Sequence, residues 1–176
     1  KEMSPVISAF AEAIAEEAGK EINIDDIQGL DEFVKNYIES FSIRYSRYSR
    51  NQLKALIEEA IENGEEPLEK IEERLNEWEE RRPGKVAKEE SIKGAGAFSK
   101  FVFAVGGVTQ LIWVTMGSDP CPYCQELNGQ VVGIEQNFLG AGDSLDPDDG
   151  DGPLQVSGNI GHPPLHPGCE CSISPA

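Results

Sequence analysis

Cysteine and histidine are confined to one stretch of this chain. All four cysteines, Cys121, Cys124, Cys169 and Cys171, and both histidines, His162 and His166, lie between residues 121 and 171. They stand as Pro120-Cys121-Pro122-Tyr123-Cys124 and His166-Pro167-Gly168-Cys169-Glu170-Cys171. A C-x-x-C turn aims two sulfurs at one point, and an H-x-x-C turn does the same with a nitrogen and a sulfur. Two such halves make a tetrahedral zinc site. Five donors, Cys121, Cys124, His166, Cys169 and Cys171, compete for four places, with His162 a weaker sixth. In an extended strand alternate side chains share a face, so Cys169 and Cys171 can both point at the metal. A neutral imidazole leaves one charge fewer to bury than a fourth thiolate. The expected set is therefore Cys121, Cys124 and His166, with the last two cysteines competing for the remaining place. Ligands in surplus argue for a closed structural site, because catalytic zinc keeps a position open for water.

Three other roles are open to the thiols. Two disulfides would leave His166 without a role, and Lys1-Glu2-Met3-Ser4-Pro5 lacks the pattern of a signal peptide. A chain that starts at lysine reads as a fragment or processed form. Cys-Pro-Tyr-Cys after a strand is the glutaredoxin tetrapeptide and points to thiol–disulfide oxidoreduction. A reactive thiolate needs positive charge nearby, however, and no Lys or Arg follows residue 100. Pro-Cys-x-x-Cys is also half of the zinc deaminase signature, but the upstream His-x-Glu is missing.

The rest of the chain reads as support for this cluster, in an α+β arrangement. A helical domain is expected over residues 1–105, and a small β-rich, metal-clamped subdomain over 106–176. Ser4-Pro5 opens a first helix and Gly19 closes it. A second amphipathic run carries Leu30, Phe33, Val34, Tyr37, Ile38, Phe41 and Tyr45. Tyr45-Ser46-Arg47-Tyr48-Ser49-Arg50 is a short internal echo. Ser49-x-x-Gln52 is a capping box that predicts a new helix, which Gly64 stops. Pro67 starts the next, and Pro83-Gly84 is expected to break the chain before a further helix over about 85–104. Gly94 and Gly96 weaken that last segment, each by about 1 kcal/mol relative to Ala. Thr109–Thr115 predicts a strand, Asn128-Gly129 a type I′ turn, and Gln130–Ile134 the hairpin partner. Residues 138–161, rich in Gly, Asp, Pro and Ser, predict a long loop of the kind that is functional or mobile, with the acidic run Asp143–Asp151 solvated and mobile. Its acids match no EF-hand register.

The formal charge is −17, and residues 101–176 hold nine acids with no Lys or Arg. Such a surface repels phosphate, which speaks against DNA binding and against a zinc-knuckle nucleic-acid binder. It suits solubility or docking on a basic partner. No run of 18 apolar residues is present to span a membrane. Residues 5–104 hold enough apolar stripe to pack among themselves, whereas 109–173 do not, so losing Cys121 or Cys124 is expected to unfold the tail and spare the helices.

Several elements together resemble the Mu F-like minor head proteins of tailed phages. They are Ala87-Lys88-Glu89-Glu90, in place of Ala-Arg-Thr-Glu, then Trp113-Val114-Thr115, Asp119-Pro120-Cys121-Pro122-Tyr123-Cys124, Leu127-Asn128-Gly129, and Pro163-Pro164-Leu165-His166-Pro167-Gly168-Cys169-Glu170-Cys171. The resemblance covers roughly residues 50–173. That family usually carries Arg where Glu170 stands, and both departures shift the charge toward negative. The resemblance implies a non-enzymatic head-morphogenesis protein: a minor capsid component, in few copies per particle, associated with the portal or other capsid proteins. It would act in procapsid assembly or genome delivery, in the host cytoplasm during assembly and then in the virion.

Overall fold

The computed structural model describes residues 3–117 and 120–176. Three long helices come first: α1 (Met3–Ile22), α2 (Leu30–Asn63) and α3 (Pro67–Val105). Strand β1 (Gln110–Val114) follows, then the short helix α4 (Pro122–Leu127) and β2 (Val131–Gly133). The chain ends with β3 (Ser144–Leu145), β4 (Leu154–Gln155) and β5 (Ser172–Pro175). The fold is α+β, as expected. No helix among the described residues is long and apolar enough to cross a membrane.

The helix ends follow local chemistry, although not always at the predicted residue. Gly19 lies buried inside α1 and does not close it. The helix instead ends where Asn23 takes the left-handed conformation (φ 59°), with Asn23 N–H bonded to Lys20 O and Ile24 N–H to Gly19 O. That pair of bonds is a Schellman cap. Gly64 ends α2 and Gly107 ends α3 with the same pair of bonds and φ of 71° and 82°. Two predicted breaks are absent. The Ser49-x-x-Gln52 box lies within α2, where the helix on either side of it leaves no free N–H groups to cap. Pro83 lies within α3. Its ring removes one backbone hydrogen bond, but Glu79, Glu80, Arg81 and Gly84 are exposed, so water can satisfy the freed carbonyl.

The expected partition at residue 105 differs from the one observed. One compact unit comprises Lys1–Asp31 with Lys88–Ala176, and the other is Glu32–Ala87. In the first, Ala15 and Ala18 of α1 share a buried core with Val102 and Phe103 of α3, Leu111 and Trp113 of β1, and Ile173 of β5. The strand residues alone have too little apolar surface, and the helix ends supply the rest. In the second unit, Arg82 lies 4.4 Å from the Trp78 ring centroid and 5.5 Å from that of Tyr48, tying α3 to α2.

The first unit's sheet is antiparallel in the order β2-β1-β5. Leu111 pairs with Val132 and Trp113 with Ile173, and all four side chains are buried, so register and period-two alternation agree. The β1–β2 pairing is the predicted hairpin, but its connection is not a type I′ turn. A six-residue helix intervenes, and Asn128 (φ −58°, ψ 123°) with Gly129 (φ 81°) forms a type II turn closed by Gln130 N–H to Leu127 O.

Residues 138–161 are laced, not loose. Phe138 N–H bonds Ile160 O, Gly142 N–H bonds Val156 O, and Val156 N–H bonds Asp143 O around the β3–β4 pair. Phe138, Leu139 and Val156 are buried. Lys100 of α3 donates to Gln136 O at 3.3 Å and Gly161 O at 3.1 Å. Burial holds its ammonium below the usual lysine range, against the pull of Glu135.

Gly96 explains why α3 tolerates glycine there. A Cβ at this position would stand 2.7 Å from His162 Nδ1 and 2.9 Å from Pro163 O. The helix backbone therefore packs directly on the segment that leads to His166. Gly96→Ala is expected to destabilise the protein by about 1–3 kcal/mol despite the better helix propensity of alanine. A denaturation midpoint that rises would show that the segment yields and that the contact is not close-packed.

Candidate metal centre

The first half of the centre is set by α4. Cys121 is its N-cap, with extended backbone (φ −63°, ψ 154°), and its Sγ accepts the Cys124 N–H at 3.4 Å. Pro122 at the first helical position has no N–H to leave unsatisfied. One turn of helix thus places the two sulfurs together. Tyr123 points elsewhere: its hydroxyl donates to Gly152 O at 2.6 Å, fastening the 138–161 excursion to α4.

The second half arrives on the approach to β5. A turn closed by Cys169 N–H to His166 O (3.1 Å) gathers His166 and Cys169, and Cys171 follows on the same face. Both cysteines are buried, as is Cys124. His166 Nε2 lies 3.0 Å from Cys121 Sγ and 3.3 Å from Cys124 Sγ. Cys124 Sγ lies 3.7 Å from Cys169 Sγ. The donors form two triads that share Cys124: one with Cys121 and His166, the other with Cys169 and Cys171. All five predicted donors come together. His162 does not join them. It is packed against α3 with Nδ1 2.6 Å from Pro163 O, and burial depresses its pKa. Asp119, which the sequence places at the strand end beside the site, lies outside the described residues.

The donor chemistry fits a metal. His166 Nδ1 lies 2.9 Å from Pro167 O, and a carbonyl only accepts, so Nδ1 carries the proton. Nε2 then offers its lone pair to the two sulfurs. Fixing the outer ring nitrogen on a carbonyl is how proteins orient a ligating imidazole. Zn–S bonds of about 2.3 Å in a tetrahedron put sulfurs about 3.8 Å apart, close to the 3.7 Å between Cys124 and Cys169. The thiols also share protons unequally. Hydrogen bonding to Cys169 and then Cys171, with burial, pushes Cys124 up, while the hydrogen bonds from Cys124 and Cys171 hold Cys169 well below the ordinary thiol range. Cys169 is therefore the sulfur these contacts make the readiest thiolate.

Two residues around the centre have no signal in the cysteine spacing. Trp113 is fully buried, and its indole N–H has no partner in hydrogen-bonding geometry. It nevertheless acts on Cys171. Hydrogen bonding with Cys124 pulls that thiol down, hydrogen bonding with Cys169 and burial outweigh it, and the indole pulls it down further. Lys88 is the other, pairing with Glu170 at 2.7 Å. Both side chains are more than half exposed, so the pair contributes under about 1 kcal/mol. It joins the Ala87-Lys88-Glu89-Glu90 element to the position between the last two cysteines, so the acid there meets a cation.

No family model, curated protein or solved structure matches this chain.

Proposed function

We propose that this chain is a non-enzymatic assembly protein whose C-terminal part is clamped by one structural zinc ion. Cys121, Cys124 and His166 would hold the metal with Cys169 as fourth donor, leaving Cys171 as the flanking thiol beside Trp113. The observation that carries the reading is the imidazole: Nε2 faces Cys121 and Cys124 within 3.3 Å while Nδ1 is anchored on Pro167 O. Zinc bound there would supply folding free energy, tying α4 to β5, and no catalytic step. The resemblance to Mu F-like minor head proteins gives the biological setting: a portal-associated component of the phage head, acting in procapsid assembly or genome delivery.

Protein purified without added metal is expected to carry one zinc per chain by elemental analysis. His166→Ala should release it to a mild chelator, and Cys171→Ala should retain it. Retention by His166→Ala with loss in Cys171→Ala would replace the imidazole by a fourth thiolate. Robust turnover in a glutathione-coupled disulfide reduction assay would overturn the non-enzymatic reading. Mass spectrometry of purified phage particles tests the setting, since a head component is recovered at a few copies per particle.

A further inference from the structure

The unit Glu32–Ala87 carries two exposed helical stripes of opposite charge. On α2, Ile43, Arg47, Arg50 and Lys54 recur at i, i+4, i+7 and i+11, which places them along one side of the helix, and Ile61 continues the row. Ile43 is 65% exposed and Ile61 64%. No acid occurs between Glu39 and Glu58, in a chain with 32 acids against 15 Lys and Arg. On α3, Leu68, Glu72, Leu75 and Glu79 recur at the same intervals, with Leu68 60% and Leu75 46% exposed. Arg47, Arg50, Glu72 and Glu79 enter no ion pair among the described residues, and Lys54 has only Glu58, 3.6 Å away.

Exposed charges in an acid-rich helical unit ordinarily find partners at i+3 or i+4, as Arg74 and Arg81 do with Glu77. These four do not, and Arg47, Glu72 and Glu79 each lie one turn from a large apolar side chain that is also uncovered: Ile43, Leu68 with Leu75, and Leu75. The unit has little core to make up for that: Val34 and Ala60 are its fully buried apolar residues among those described. A nucleic acid would match the arginines but not Ile43 and Ile61. Arg beside exposed aliphatic and aromatic side chains is the composition of a protein interface. The spacing selects the partner. Arg47 and Lys54 are seven residues apart, as are Glu72 and Glu79, about 10.5 Å along each helix axis.

We propose that the basic stripe of α2 docks on the acidic stripe of α3 in a second copy of this chain. Under two-fold symmetry each copy offers both stripes, so the contact occurs twice and closes as a dimer. The aliphatic side chains supply the buried area, and the charges set register and partner.

Sedimentation of the full chain over a concentration series is expected to show a reversible monomer–dimer equilibrium that weakens as added salt shortens electrostatic range. Arg47→Glu with Arg50→Glu should raise the dissociation constant about tenfold or more, and so should Glu72→Arg with Glu79→Arg, since each sets like charges face to face. All four sites are exposed, and unchanged circular dichroism checks the fold. Mixing the two double variants should restore the dimer, because the acid-reversed α2 of one then meets the base-reversed α3 of the other. A protein that stays monomeric throughout overturns the proposal. So does a dimer indifferent to both reversals, or a mixture that fails to reassociate.

Discussion

Cys124→Ser is expected to abolish binding of the proposed zinc and to unfold the unit built from the two chain ends. Cys124 belongs to both donor triads, within 3.3 Å of His166 and 3.7 Å of Cys169, and it is buried. A serine hydroxyl there is a poor zinc ligand and a buried polar group without its partners. Structural zinc contributes on the order of 10 kcal/mol in small metal-folded peptides, about the whole stability of an ordinary domain. The composition of the tail alone predicts that the loss stops at residue 106 and spares the helices. The shared core predicts otherwise: Ala15, Ala18, Val102 and Phe103 pack with Leu111, Trp113 and Cys124 itself. The variant should therefore lose amide protection in α1 and the end of α3 together with the strands, while residues 32–87 exchange as before. Stoichiometric chelation of the wild-type chain should do the same. Hydrogen exchange that changes only in 106–176 would show that the helices hold without the tail, and unchanged exchange everywhere would remove the metal from the account of stability.

The site was legible in the sequence because its determinants are local. Two intervening residues close a C-x-x-C turn whatever surrounds it, and alternation in an extended segment puts Cys169 and Cys171 on one face. The β1–β2 pairing was legible through the β-branched and aromatic residues of 109–115 and through Asn128-Gly129, which does reverse the chain, although as a type II turn after a short helix. The division of the chain was not. The structure buries Ala15 and Ala18 on one side of α1, but helical spacing alone does not say what covers that side, and the answer comes from residues some 85 positions away. The excursion at 138–161 escaped because its strands are two residues long, too short for alternation to register, and because what orders it includes Lys100 and Tyr123 from outside. Gly96 is a weak helix former by propensity, and its reason, His162 packed against it, lies 66 residues away in the chain. Pro83 and the Ser49 box are boundary signals that the continuous helix on either side overrides.

Charge bears on function through position more than through sum. At −17 the chain as a whole is a poor ligand for phosphate, yet two of its uncommitted cations, Arg47 and Arg50, lie together on one side of α2. At physiological salt the screening length is about 8 Å, so a docking partner meets the stripe, not the total. The same reasoning applies beside the Cys/His cluster, where Glu170 is answered locally by Lys88.

Trp113 is where the sheet, the core and the centre meet, and its truncation should have the second largest effect. The ring is fully buried, edge-on to Phe138 at 5.1 Å between centroids, and the residue pairs with Ile173 on the strand that follows Cys171. Trp113→Ala empties a large volume in close-packed surroundings and is expected to cost about 3–5 kcal/mol. Trp113→Phe separates volume from chemistry. It keeps most of the apolar contact with Phe138 and removes the indole N–H that favours the thiolate form of Cys171. With metal saturating, the Phe variant should lose only about 1–2 kcal/mol in a urea titration. Its zinc affinity, measured by competition with a chelating dye, should stay near wild type if Cys171 is the flanking thiol. A drop of tenfold or more would place Cys171 among the ligands, with the indole supporting it. Equal losses of stability for Phe and Ala would mean that cavity volume is not what Trp113 contributes, and the packing argument for this position would fall.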